Sequence, residues 1–210
     1  MCVDNRSDDS DYTELRLRLP EGSAVRRDAQ ANRDRILAAA EAVFGTAGGA
    51  GSTEEVARQA GVGIGTVFRH FPTKRDLIEA TVVRHFDDLT ARAGKLAAAP
   101  DPGAALRKMV ERMIGGTAAK VVLIGLLVSE DGTLSGPAER ASLELRRAVG
   151  TLLHRAQAAG TVRPDVSVDE LYLLIRALSQ AAGQAPGRKA VLRKAVDVVL
   201  DGLAAQPGGG

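Results

Sequence analysis

The stretch "STEEVARQAGVGIGTVFRHFPT", residues 52–73, decides the fold. Ser52 followed by Glu55 has the spacing of a capping box, in which Ser52 accepts the amide of Glu55 while Glu55 reaches back. The helix that opens there runs only to about Ala60, because Gly61-Val62-Gly63 breaks it. A second short helix fits Ile64 to Phe71, and Pro72-Thr73 ends it and caps a third. Two short helices joined by a three-residue turn containing glycine make a helix-turn-helix, with Val56, Ala57, Ala60 and Val62 as its inner face.

On a wheel of about 100° per residue, Val67 and Phe71 form the buried side of the second helix with Ile64 flanking them. Gly65, Thr66 and Arg69 point the other way, and His70 lies on the border. The outer side is thus nearly bare at the helix N-terminus and polar one turn later. A DNA major groove, about 12 Å wide, admits a helix, and a recognition helix leads with its N-terminal end. Little bulk there lets the backbone approach base edges, where Thr66 offers a methyl or hydroxyl. Arg69 suits a guanine or a phosphate. His70 and Lys74 suit phosphates, helped by the free amides of the next helix. The plainer alternative is that Arg69 and His70 are solvated helix residues.

Upstream, Ile36, Ala39, Ala40, Val43 and Phe44 form one apolar stripe in a helix expected from Asp28 until "GTAGGAG" stops it. Residues 1–25 read as a disordered tail, with a short strand through "ELRLRL" or a basic arm reaching phosphates as alternatives. Downstream, a long helix is expected from about Lys74 to Ala97, before "AAAPDPG" breaks the chain. Amphipathic stretches follow near 102–116, 118–129, 137–159, 168–183 and 187–204, and Ser167 to Glu170 forms another capping box. The closing "QPGGG" reads as frayed. Domains are expected at 26–80 and 81–205, with tails at 1–25 and 206–210.

An apolar content of 45% with only 3% aromatic and no Trp implies a core of small aliphatic side chains on helices, so the expected class is all-α. The net charge of +2, from 28 basic against 26 acidic residues, names no partner by itself. One cysteine, Cys2, an acidic start without an apolar leader, and a longest apolar run of Val121 to Val128 point to a cytoplasmic protein without a membrane segment. No catalytic signature stands out, and no cofactor is implied. His85 and Asp88 share a helical face, yet a chain with three histidines carries no metal-site spacing. An enzyme of unfamiliar helical type and a helical interaction module without DNA contact stay open as alternatives.

"RDRILAAAEAVFGTAGGAGSTEEVARQAGVGIGTVFRHFPTKRDLIEA", residues 33–80, resembles the DNA-binding domain of the TetR family of bacterial transcriptional regulators. Ile36-Leu37, Phe44, Val56-Ala57, Ala60-Gly61-Val62, Gly65-Thr66, His70-Phe71, Lys74 and Leu77 carry the likeness. The resemblance implies nine or ten helices, a homodimer formed by the last two, palindromic operator DNA as partner, and release, as from a repressor, by a small-molecule effector. It makes Ser52, Thr53, Ile64, Gly65, Thr66, Phe68, Arg69, His70 and Lys74 the DNA-facing set. Phe68 stands where the family often has Tyr and lacks its hydroxyl, and Ile64, often polar, cannot hydrogen-bond a base. The C-terminal half is similar to a subgroup common in actinobacteria.

The central helices, where the family encloses its effector, hold Met109, Arg112, Met113, Leu123, Leu126, Leu127 and Val128; core packing explains the apolar ones equally well. Arg112 and Glu130, if buried together, would imply a polar ligand. The last two helices carry Leu171, Leu174, Ile175, Leu178 and Ala182, then Val191, Leu192, Ala195, Val198 and Val199. These exceed one core face, and a four-helix interface across a two-fold axis would bury the excess.

Overall fold

Helix α1 (Glu21–Ala47) turns Ile36, Leu37, Ala40 and Phe44 fully inward, with Ala39 and Val43 nearly so. The computed structural model describes residues 21–115, 118–129, 133–134, 136–184 and 189–205. The tail through residue 20 with its "ELRLRL" segment, Glu130, and the closing residues 206–210 lie outside the described residues. The helix starts at Glu21 rather than at the expected Asp28, so residues 21–25 are not tail. Helix propagation adds one hydrogen bond per residue and needs no apolar face, so the periodicity that located the helix could not mark its start.

After a short 3-10 turn at Gly48–Ala50 come α2 (Thr53–Ala60), α3 (Ile64–His70) and α4 (Lys74–Leu96). The Ser52 hydroxyl accepts the Glu55 amide at 3.1 Å. The reciprocal half of that expected box is missing, because Arg58 holds the Glu55 carboxylate, with Nε 3.0 Å away. The complete box stands two helices later, at the start of α4: Thr73 accepts the Asp76 amide at 3.1 Å, and its own amide donates to Asp76 at 2.9 Å. Gly61 closes α2 in the left-handed conformation, φ 64°, which a Cβ would strain.

The C-terminal domain holds α5 (Pro102–Ile114), α6 (Ala118–Gly125), α7 (Gly136–Ala158), α8 (Val168–Gln184) and α9 (Lys189–Gly202). Helix α6 stops four residues short of expectation. Leu127 switches to a tighter bond with Ile124, and the Ser129 amide and hydroxyl both turn to the Thr133 carbonyl at 2.9 Å. The expected box at Ser167 is complete, its amide donating to Glu170 at 2.7 Å.

Helix α4 packs along α7, while α1 packs on α2, α3, α4 and α6, so the two domains share α4 and one continuous core. Leu77 sits in the core near the start of α4, and Phe86 and Leu89 lie two to three turns further on. Arg155 of α7 donates to the carbonyls of Ala97 and Ala99, pinning the α4–α5 turn. An isolated antiparallel bridge, Val162 with Ala204, ties the α7–α8 loop to the end of α9. The all-α class expected from composition holds, and no helix among the described residues is long and apolar enough to cross a membrane.

Candidate DNA-reading helix and internal cavity

Helix α3 is anchored by Val67, which is fully buried, and by Phe71, which follows it and carries the Arg33 guanidinium 5.3 Å over its ring. The side away from this anchor presents Gly65 and Arg69 exposed, with Thr66 and His70 half-buried beside them. Ile64 and Phe68 are also exposed, at 39% and 43%. Large apolar groups so placed contribute little to the core of this chain. A Cβ on Gly65 would meet nothing within 4 Å. The chain's own packing therefore does not call for glycine at this position.

Two members of the expected DNA-facing set sit differently. Thr53 is buried, at 9% exposure, with its hydroxyl 3.4 Å from Glu54, because the first turn of α2 packs onto α1. Lys74 donates from Nζ to the Gly49 carbonyl at 2.7 Å and lies 5.4 Å over the Phe44 ring. One of its three N–H donors is thus spent inside the protein. Ser52 also uses its hydroxyl, as the α2 cap.

A cavity of about 560 Å³ opens between α4, α6, α7 and α8. Phe86, Leu89, Ile124, Leu145 and Ile175 give it apolar walls, and Ser142, Ser179, Gln180 and Arg176 add polar groups. Tyr172 lines it too, under the Arg146 guanidinium at 5.1 Å, and its hydroxyl is buried without a hydrogen-bond partner among the described residues. Burial pushes this phenol well above its ordinary range, so it stays a protonated donor. Of the seven residues expected to line a pocket, Met113 and Val128 do so. Met109, Leu123 and Leu127 are buried in the core, and Leu126 packs toward Gly49.

Arg112 instead borders a second cleft of about 360 Å³, with Asp88, Arg92 and Lys95. The cleft and the cavity share His85, Leu89 and Lys120 as common wall. His85 is pushed down to about 4, first by burial and then by the Lys120 charge, and Arg112 adds to this while Asp88 opposes it. Its imidazole is neutral at pH 7. His85 and Asp88 remain a pair, and no three metal-ligating side chains converge among the described residues.

The register of α8 turns two of the residues expected at a dimer face into their own chain. Leu171 and Ile175 are buried inside the same chain, and Ile175 lines the cavity; Leu174 and Leu178 pack against the core from its margin. Leu173, which the sequence reading did not single out, is 67% exposed, and Val191 at 65% and Val198 at 64% are exposed likewise. Ala195 is half-buried between them in sequence. Leu171, Leu173, Leu174, Ile175 and Leu178 spread over more than one face of α8, so periodicity alone could not say which of them faces in.

Residues 36–81 match the family described as bacterial regulatory proteins, tetR family, and residues 101–205 match the transcriptional regulator SbtR-like C-terminal domain. Among solved structures the chain is similar to a TetR transcriptional regulator from Streptomyces coelicolor, 32% identical, covering 83% of this chain and 99% of that one at a TM-score of 0.70. It is similar also to a TetR regulatory protein from Mycobacterium vanbaalenii, 36% identical over 86% of this chain and 99% of that one, again at 0.70. An HTH-type transcriptional regulator of Staphylococcus aureus is 38% identical over 64 residues. That match spans 30% of this chain and only 35% of the length of that curated relative.

Proposed function

Because the chain belongs to the TetR family of bacterial transcriptional regulators, we propose that it is a ligand-responsive repressor of the cytoplasm that binds palindromic operator DNA as a homodimer and is released by a small molecule. DNA binding and a helical regulatory domain come with the family. Operator symmetry, dimerisation and release are our reading for this chain.

The observation that carries it is Gly65. The first turn of α3 is exposed and bare, although no neighbour within 4 Å demands it, and such a surface suits the close approach of a helix N-terminus to base edges. Arg69 then reaches a base or phosphate, and Thr66, His70 and a remaining donor of Lys74 complete the contact. Ile64 and Phe68 offer apolar contact, for which a thymine methyl is the fitting partner. Ser52 caps α2 as an acceptor and keeps its O–H donor for a phosphate, while Thr53 seats the first turn of α2 on α1.

The apolar residues Leu173, Val191 and Val198 suit a two-fold contact of α8 and α9. Two reading heads then lie about one helical turn, ~34 Å, or a multiple apart. Helix α4 carries Leu77 in the head's core and Phe86 and Leu89 in the cavity wall. A ligand favouring a different tilt of α4 changes the head spacing and weakens operator binding. The test is selection of genome fragments by the purified protein at a stated moderate salt: a palindrome should be recovered, and no enrichment by a folded dimer would overturn the reading.

A further inference from the structure

Lys120, at the start of α6, belongs to three surroundings at once. Its ammonium stands 3.4 Å from Glu41 of α1, its side chain is only 19% exposed, and it walls both the cavity and the cleft beside it. The cavity has no carboxylate in its wall among the described residues. The cleft adds Arg92, Lys95 and Arg112 against the single carboxylate of Asp88. Those three cations form no ion pair among the described residues, unlike Arg84, Arg107 and Arg163 elsewhere. An apolar chamber therefore continues into a basic mouth.

Resting on the effector reading above, we propose that the ligand is an amphipathic oxyanion whose apolar body fills the chamber and whose carboxylate or phosphate head is held by Lys120 and Arg112. The chamber wall matches an aliphatic body through Phe86, Ile124 and Ile175, and the Tyr172 hydroxyl is a donor left for a polar atom along it. The basic mouth matches the head, since a charge leaving water for a half-buried site needs charged partners. Lys120 also gives the ligand a handle on the DNA-binding domain. The head competes with Glu41 for the same ammonium, and among the described residues Glu41 then keeps Arg84, at 3.7 Å. Loss of the Glu41–Lys120 pair loosens α1 from α6.

The experiment is calorimetric titration of the full-length protein with dodecanoate, dodecyl phosphate, uncharged dodecanol and inorganic phosphate. At least one of the two amphipathic anions should bind roughly tenfold or more tightly than dodecanol, and phosphate alone should bind far more weakly. The better of the two anions identifies the head. Lys120→Gln and Arg112→Gln should each weaken that anion by about tenfold, whereas Glu41→Gln should tighten it by relieving the competition. Melting curves establish that each variant is folded, and Arg112, exposed on the surface, is the substitution least able to disturb packing. Equal binding of dodecanol, absence of binding by either anion, or indifference to both charge-removing variants overturns the proposal. An unchanged affinity in Glu41→Gln overturns its link to α1. Fragment selection judges the regulator reading separately: anion binding without operator enrichment rejects that reading and leaves the ligand class standing.

Discussion

The Lys74 ammonium and the Gly49 carbonyl, 2.7 Å apart, fasten the first turn of α4 to the turn that follows α1. The residues are 25 positions apart, and the contact lies over the Phe44 ring at the centre of the DNA-binding domain's core. Lys74→Met removes the bond and the cation over the ring, and should cost about 1 kcal/mol in denaturant unfolding. It should also make the salt dependence of DNA binding shallower, because a remaining donor serves a phosphate. A stability loss with an unchanged salt slope would leave Lys74 a positioning residue only.

Gly51 and Gly65 lie in one motif and make opposite demands. A Cβ at Gly51 falls 2.7 Å from Cδ1 of Phe44, inside a packed core, so Gly51→Ala should destabilise the protein by ~1–3 kcal/mol. The Cβ added in Gly65→Leu meets nothing within 4 Å and the position is exposed, so its melting temperature should stay near that of the parent while operator affinity collapses. Retained operator binding in Gly65→Leu would remove the observation on which DNA reading rests.

Leu173→Arg and Val198→Arg should give folded monomers with weakened operator binding, as sedimentation and melting curves would show, because both side chains are exposed within the chain. Leu171→Arg should instead unfold the domain, since it is buried at 1%. A Leu173→Arg protein that remained dimeric would place the interface elsewhere.

His85 makes stability depend on pH with a defined sign. Its folded value of about 4 lies below the ordinary 6.5, so the unfolded chain binds the proton more readily. The stabilisation is complete above about pH 6.5 and is lost as pH falls toward 4, amounting to about 3 kcal/mol. His85→Gln should flatten that part of the profile in denaturant titrations. An equally steep decline in the variant would assign it to other groups.

Local chemistry made the reading head legible. Ser52, Thr73 and Ser167 each announce a helix start by the donor they cap, and Gly61 announces an end by a backbone conformation that few other residues adopt. These signals act within four residues, so they survive without knowledge of the rest of the chain. What they miss is a helix such as α1 that extends past its apolar stripe, or α6, which ends at Gly125 where the chain tightens into a turn.

The site divides along the same line. An all-α chain with a helix-turn-helix whose second helix has a bare, polar outer side could be read from the residues in order, because that pattern is written in consecutive positions. Helix packing sets that Leu171 and Ile175 turn inward while Leu173 turns out, and that Met109, Leu123 and Leu127 fill the core. It alone brought His85, Lys120 and Tyr172 from three helices to one cavity. The physical reason is that an apolar residue satisfies burial equally well against its own core, a ligand or a second copy. Which of these it meets is set by helix packing between segments far apart in the chain.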